Sequence, residues 1–343
     1  EKTAGIAINT IPGPASEDLL LGLKALSMRD SLGALSYRDA LPADSIERKA
    51  LTWAIAVSGQ RNVPSSELIS ARVVLKDWPA REDIEDNLEQ ALYRESADRA
   101  TVLASLGDRV PRTAEGAVIL ARAAVAKGDS ARAKRLIALF WHEKTFDPAL
   151  ETVMLGEFGS LLDKTDHRLR MAHLLMAGQM NQAKRFAMLV KADTLYDAFV
   201  AVSKKSRDSR ALLKAVDAGW RSDPVFLYAS IKNLRQRKSY EEAARLLEQM
   251  PRDRVALGDA DAWWVEARIV SRALMDRGIA SKAYALAAAH LAETPDDIAE
   301  AEFHAGWFAL RGLKDARQAA LHFRKLVDTS PKAHDRARGF YWL

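Results

Sequence analysis

Leu274-Met275-Asp276-Arg277-Gly278-Ile279-Ala280-Ser281-Lys282-Ala283 joins the end of one helix to the start of another. Ala, Leu, Met, Arg and Lys favour helix, and the glycine interrupts them at a position suited to a left-handed C-terminal turn. An alanine stands five residues past the glycine, where a small side chain lets two helices approach closely. The same punctuation occurs at Ala126-Lys127-Gly128-Asp129, Ala177-Gly178-Gln179 and Arg237-Lys238-Ser239, followed by Ala133, Ala183 and Ala243. A fifth copy, Arg311-Gly312-Leu313, departs from the rule, because Ala316 and Ala319 bracket the expected alanine. Recurrent helix hairpins of this kind predict an all-α chain of stacked helix pairs, tetratricopeptide-like and curved as a superhelical solenoid. The copies are unevenly spaced, by about 50, 60, 40 and 34 residues, so additional helices must fill the longer steps.

The rest of the chain carries helix starts and stops and no strand signal. Ile11-Pro12-Gly13-Pro14 resists regular structure, which makes residues 1–14 an N-terminal tail. Ser16 and Asp44 are expected N-caps, each followed by acids, and Ala50, Trp53, Ala54 and Val57 form the expected buried face of the helix after Asp44. Pro64-Ser65-Ser66-Glu67 opens another helix, with Leu68, Ala71 and Leu75 as its stripe and Asp77-Trp78-Pro79 as its end. Further starts stand at Thr113, Asp147-Pro148, Asp223-Pro224, Thr294-Pro295 and Ser330-Pro331. No segment alternates with period two, and the expectation is about twenty helices without a sheet. Residues 15–310 read as the superhelical part and 311–343 as the last hairpins. Trp78, Trp141, Trp220, Trp263, Trp264, Trp307 and Trp342 are expected to pack between hairpins.

Composition narrows the function classes. The 343 residues carry 51 basic and 46 acidic side chains, a net charge of +5. With a pI near 9.3, the surface suits an anionic partner only mildly. The densest basic stretch, Lys204-Lys205 with Arg207 and Arg210, has no interleaved aromatics, and acids accompany bases elsewhere, as in Arg81-Glu82-Asp83. That pattern argues against a nucleic-acid partner. Without cysteine there is no disulfide or thiolate chemistry. No apolar run reaches membrane-spanning length. The N-terminus lacks a charged-then-apolar leader, so an exported chain would have shed it already.

Candidate chemistry is sparse. His142-Glu143-Lys144-Thr145-Phe146 begins like a zinc-protease helix, but the second histidine is missing, and an exposed turn is expected. His167 and His173 are six residues apart, which places them on different helix faces, with His167 at a helix start. His304 and His322 lie in apolar helical context and are expected to be buried or half-buried. There is no Gly-x-Ser-x-Gly elbow, and Gly156-Glu157-Phe158-Gly159 is not a phosphate loop. No catalytic, metal or cofactor-binding residue is assigned, and no cofactor is expected.

Four tracts in order carry a resemblance. They are Asp77-Trp78-Pro79; Phe158-Gly159-Ser160-Leu161-Leu162 running on through Thr165-Asp166-His167-Arg168-Leu169-Arg170-Met171 to Leu174-Leu175 and Gly178; Trp263-Trp264-Val265-Glu266-Ala267-Arg268, Ala283-Tyr284 and Ala301-Glu302-Phe303-His304-Ala305-Gly306-Trp307; and Ala319-Ala320-Leu321-His322-Phe323 with Ala337-Arg338-Gly339-Phe340-Tyr341-Trp342-Leu343. Together they resemble the helical part of the soluble lytic transglycosylases, periplasmic enzymes that cut bacterial peptidoglycan. The resemblance implies an α-superhelix closed into a U or ring, followed by a lysozyme-like catalytic domain. In that family one glutamate of a Glu-Ser motif, with a downstream Gly-Leu-Met-Gln, acts as acid and then base and leaves 1,6-anhydromuramic ends.

Here the only Glu-Ser is Glu95-Ser96, without the following aromatic or the partner motif, so the catalytic role is not carried onto Glu95. The expectation is a monomeric scaffold domain, inactive alone, that holds peptidoglycan glycan strands for a catalytic domain beyond Leu343 and meets other cell-wall proteins. The alternative is a tetratricopeptide-type protein-binding scaffold with no enzymatic role.

Overall fold

In a computed structural model, residues 14–142 and 146–343 are described, with side chains from Glu17 onward. Among them there are twenty-one α-helices and no strand. The chain packs as two units. The first runs through Phe140 and resumes at Ala149–Leu161; the second comprises Trp141–Pro148 and Leu162–Leu343.

The first unit is built on α1 (Pro14–Ser27), α2 (Ser31–Ala40), α3 (Ile46–Val57), α4 (Ser65–Val74), α5 (Arg81–Arg94), α6 (Arg99–Leu106), α7 (Ala114–Val125), α8 (Ser130–Trp141) and α9 (Pro148–Phe158). Helix α1 starts at Pro14, so Ser16 lies within its first turn and does not cap it. The cap of α3 is Ser45, whose hydroxyl accepts from Arg48 N at 3.1 Å, one residue after the expected Asp44. Its innermost residues are Leu51, Ile55 and Ala56, and the expected face of Ala50, Trp53, Ala54 and Val57 is only half-buried. The reason is that α1, α2, α4 and α5 all pack on α3, so no single stripe faces inward. In α4 the stripe Leu68, Ala71 and Leu75 is buried as expected, but the helix stops at Val74, before Asp77-Trp78-Pro79. Glu89 on α5 is fully buried and fixes the start of α7. It accepts from Arg112 N at 3.0 Å, Thr113 N at 2.8 Å and Thr113 Oγ1 at 2.8 Å. Thr113 in turn caps Gly116 N.

The second unit adds α10 (Lys164–Met176), α11 (Met180–Val190), α12 (Asp193–Ser203), α13 (Ser209–Ala215), α14 (Pro224–Gln236), α15 (Tyr240–Leu247), α16 (Arg254–Leu257), α17 (Ala260–Asp276), α18 (Ala280–Ala288), α19 (Pro295–Trp307), α20 (Ala316–Thr329) and α21 (Ala333–Trp342). Asp223 and Thr294 cap α14 and α19 ahead of their prolines. Ser330 ends α20 and does not open α21, which begins two residues after Pro331. Trp141, Trp263 and Trp264 are fully buried, whereas Trp78, Trp220, Trp307 and Trp342 are half-buried.

The hairpin turns obey one rule more widely than the sequence suggests. Gly128, Gly178, Lys238 and Gly278 all have positive φ, and the alanine five residues on is fully buried each time. The next N–H closes the turn onto a carbonyl five residues back, as in Ile279 N to Leu274 O at 2.9 Å. Arg29 (φ 62) makes a further copy, with Asp30 N bonded to Ala25 O and Ala34 buried. The fifth copy is not at Gly312. Residues Phe308–Leu313 form a π-helix, and the left-handed residue is Lys314 (φ 59). Asp315 N reaches back six residues to Ala309 O, and the buried alanine is Ala319, five past Lys314. One additional residue in the preceding helix had displaced the register.

Candidate functional site

The residues weighed for chemistry in the sequence, none of which was assigned to a site, serve mainly as structural ties. Glu95 accepts from Ser65 N at 2.7 Å and Ser65 Oγ at 2.5 Å, which satisfies the first turn of α4. His142 is not an exposed turn residue. It is half-buried, and its Nε2 lies 2.8 Å from Asp166 Oδ1. Asp166 also completes a capping box with Asp163 at the start of α10, so His142 joins that cap within the second unit. Glu143, Lys144 and Thr145 lie outside the described residues. His167 sits in the first turn of α10, with its ring stacked on Phe186 and burial lowering its pKa. Arg170 is fully buried and lies over the Phe146 ring at 4.2 Å. Among the described residues no three His, Asp or Glu side chains are arranged to hold a metal ion.

Two features of the second unit do converge. The first is a polar cluster around Glu302 on α19, whose side chain is 2% exposed. Glu302 accepts from His290 Nε2 at 2.9 Å, His322 Nδ1 at 2.7 Å and Lys325 Nζ at 2.5 Å. Burial alone would raise this carboxyl. The three donors outweigh it and hold Glu302 well below the usual carboxylate range. An ionised carboxylate only accepts, so both imidazoles donate to it. In the neutral imidazole His322 Nε2 accepts from Tyr284 Oη at 3.1 Å, and Tyr284 accepts from Gln318 Nε2 at 2.7 Å. The relay joins α18, α19 and α20. The neighbouring His304 donates Nδ1–H to Glu300 O at 2.8 Å, and burial lowers its pKa.

The second feature is a cavity of about 220 Å³ between α15, α17 and α18. Leu247, Met250, Trp263, Trp264, Leu286 and Leu291 give it apolar walls, and His290 lies along it. Exposed Glu248 and Arg252 stand at its margin. Trp263 Nε1 is satisfied by Leu257 O at 2.9 Å. By contrast, Trp264 Nε1 and His290 Nδ1 are buried and have no hydrogen-bond partner. Their rings meet edge-on, with centroids 5.9 Å apart. In the neutral imidazole, with Nε2–H donated to Glu302, Nδ1 is the acceptor nitrogen.

The sequence reading missed His290, although it named Glu302, His322 and Tyr284 within helical tracts. His290 and Glu302 are twelve residues apart, and Glu302 and His322 twenty. They stand at no local helical spacing, so only the packing of three helices reveals them.

No protein-family model matches the chain, and no curated protein matches it.

Proposed function

We propose that this chain is the helical scaffold of a soluble lytic transglycosylase. In this reading it holds peptidoglycan glycan strands for non-hydrolytic cleavage, in the periplasm, by a lysozyme-like domain elsewhere in the parent protein. The observation that carries the reading is the convergence of the resembling tracts. Phe323 is fully buried between Gly306 and Gly339. A Cβ on Gly306 would lie 2.7 Å from Phe323 Cε1, and one on Gly339 would lie 3.1 Å from Phe323 O. Trp307 and Trp342 meet edge-on beside them at 5.0 Å. The Glu302 relay likewise uses Tyr284, Glu302 and His322. Residues that make the tracts recognisable in order are therefore the ones whose size and polarity the packing requires. Stacked hairpins suit an extended polymer better than a small metabolite.

The test is sedimentation of the purified chain with peptidoglycan sacculi at low salt, paired with analysis of the sugars that the natural parent protein releases from them. Retention together with 1,6-anhydromuramic products is the expected result. A chain left in the supernatant, with a parent that releases no such products, would overturn the reading.

A further inference from the structure

Lys204-Lys205 with Arg207 and Arg210, the densest basic stretch of the sequence, lies at the turn after α12. Three further turns stand in line with it. Helices α12, α14, α17 and α19 pack side by side in that order. Gln236 Nε2, at the end of α14, bonds Val202 O near the end of α12 at 3.0 Å. Arg277 Nη2, just past α17, reaches Lys238 O at 3.4 Å. A Cβ on Gly312 would lie 2.8 Å from Ala280 Cβ. The four turns therefore follow one another along one edge of the second unit, about 25–30 Å long at the usual spacing of packed helices.

Charge is sorted along the helices that this edge terminates. Residues 204–210, 237–242, 276–282 and 311–317 hold eleven basic and five acidic side chains. All eleven basic ones are exposed, and among the described residues none of them forms an ion pair. The links at the opposite ends, residues 217–223, 248–261, 290–297 and 328–335, hold four basic and eleven acidic side chains. These links are neighbours too: Glu293 N bonds Asp261 Oδ1 at 2.8 Å, and Lys332 Nζ bonds Asp296 Oδ2 at 2.6 Å. One edge thus carries a larger positive excess than the +5 of the whole chain, and the far edge repels whatever the near edge attracts.

The make-up of the basic edge selects among anionic partners. None of its large apolar side chains is exposed, so it lacks the aromatic or aliphatic anchor on which a protein interface depends. Tyr240 and Trp307 offer no free face for a nucleic-acid base, because Arg277 and Arg311 lie over their rings at 4.9 and 5.4 Å. Asp208, Glu241, Asp276 and Asp315 put an acid in every turn. A nucleic-acid duplex, with a fixed charge about every 1.7 Å, would confront all of them. The headgroups of a fluid bilayer can rearrange, so anionic lipids gather under the bases and neutral ones under the acids.

We propose that this edge of the second unit is a docking surface for a bilayer containing anionic phospholipid. The unit stands on the headgroups by its four turns, with the acidic edge turned away. No helix among the described residues is long and apolar enough to cross a membrane, so this contact is peripheral. Docking of this kind is independent of glycan binding and uses charge in place of shape.

The experiment is co-sedimentation of the intact chain with vesicles of phosphatidylcholine, either pure or with one lipid in three replaced by phosphatidylglycerol. Binding is expected only to the mixed vesicles, and should weaken at least about tenfold between about 50 and 200 mM salt. The triple substitution Lys204→Glu, Arg207→Glu and Arg210→Glu should weaken it at least about a hundredfold. An equal change of charge at exposed positions of the first unit, Lys24→Glu, Arg61→Glu and Lys76→Glu, should leave most of the binding in place. Far-ultraviolet circular dichroism establishes that both triple variants are folded. A chain that stays in the supernatant with mixed vesicles at about 50 mM salt overturns the proposal. Equal binding to pure phosphatidylcholine, or an equal loss in the two triple variants, overturns it as well. Tighter binding to a DNA duplex at the same anionic charge would assign the edge to nucleic acid instead. Low-salt pelleting without vesicles, abolished by the edge substitutions, would assign it to a second copy of the chain. Purified sacculi contain no bilayer, so failure with vesicles sinks this surface alone, and failure with sacculi sinks the scaffold reading alone.

Discussion

Glu302 is the residue on which the second unit depends most visibly for charge. Its folded pKa lies far below its ordinary value of 4.5. The unfolded chain therefore takes up a proton there first as pH falls. Its contribution is fully present above that ordinary value and is lost as pH drops through the acid range below it. Glu302→Gln should lower stability by about 2–4 kcal/mol at pH 7. The difference from the wild type should shrink in urea titrations at about pH 3, where the unfolded chain is protonated at this position and part of the native advantage is gone. Glu89 has the opposite sign. Burial raises its pKa despite the bonds from Thr113 and Arg112, so its effect on stability declines as pH rises through that elevated value. Neither role was legible in the sequence. A helical Glu among alanines reads as a solvated face, and nothing local marks donors twelve and twenty residues away.

At the scale of the element, the left-handed residue of six hairpins, at Arg29, Gly128, Gly178, Lys238, Gly278 and Lys314, is the point from which the packing is counted. Lys238 and Lys314 occupy it with φ of 63 and 59, a conformation that costs a residue with a Cβ about 1 kcal/mol. Lys238→Gly and Lys314→Gly should each raise stability by about 0.5–1 kcal/mol, read as a shift in the urea midpoint. The alanine five residues on has no room to grow. Ala243→Leu or Ala283→Leu should cost about 1–3 kcal/mol or more, by forcing α15 from α14 or α18 from α17. A milder result, within about 0.5 kcal/mol of wild type, would show that these helices can part without loss. Four of the five hairpins were legible because glycine or lysine fell at the turn and the alanine five later. Arg29 was overlooked, since a lone arginine carries no turn signal. Gly312 misled, because a glycine inside a π-helix looks like a turn when only residue type is read. The face of α3 was misjudged for a different reason: a helix covered on several sides has no single stripe for periodicity to find.

For the whole molecule, the all-α class follows directly from helix formers, caps and the lack of alternation. The partner does not follow from them, because a hairpin repeat serves glycan or protein equally well. Charge supplies a discriminating measurement. With 51 basic residues set against 46 acidic ones, retention on sacculi should fall less than about tenfold between about 50 and 200 mM salt, whereas a nucleic-acid binder loses about 10³–10⁵ over that range. Sedimentation at the two salt concentrations separates these outcomes.

The π-helix at Phe308–Leu313 has a consequence for how such chains change over generations. A single inserted codon upstream of the hinge leaves the downstream partner untouched, because the surplus residue is swallowed as a bulge before the chain turns. Helix length can therefore drift from one copy to the next while the spacing from hinge to buried alanine stays at five. Copies aligned on their glycines will look degenerate, and copies aligned on the hinge will not. Across the bends at Arg29, Gly128, Gly178, Lys238, Gly278 and Lys314 the constant is a short ruler laid forward from the bend, and whatever precedes it is free to stretch.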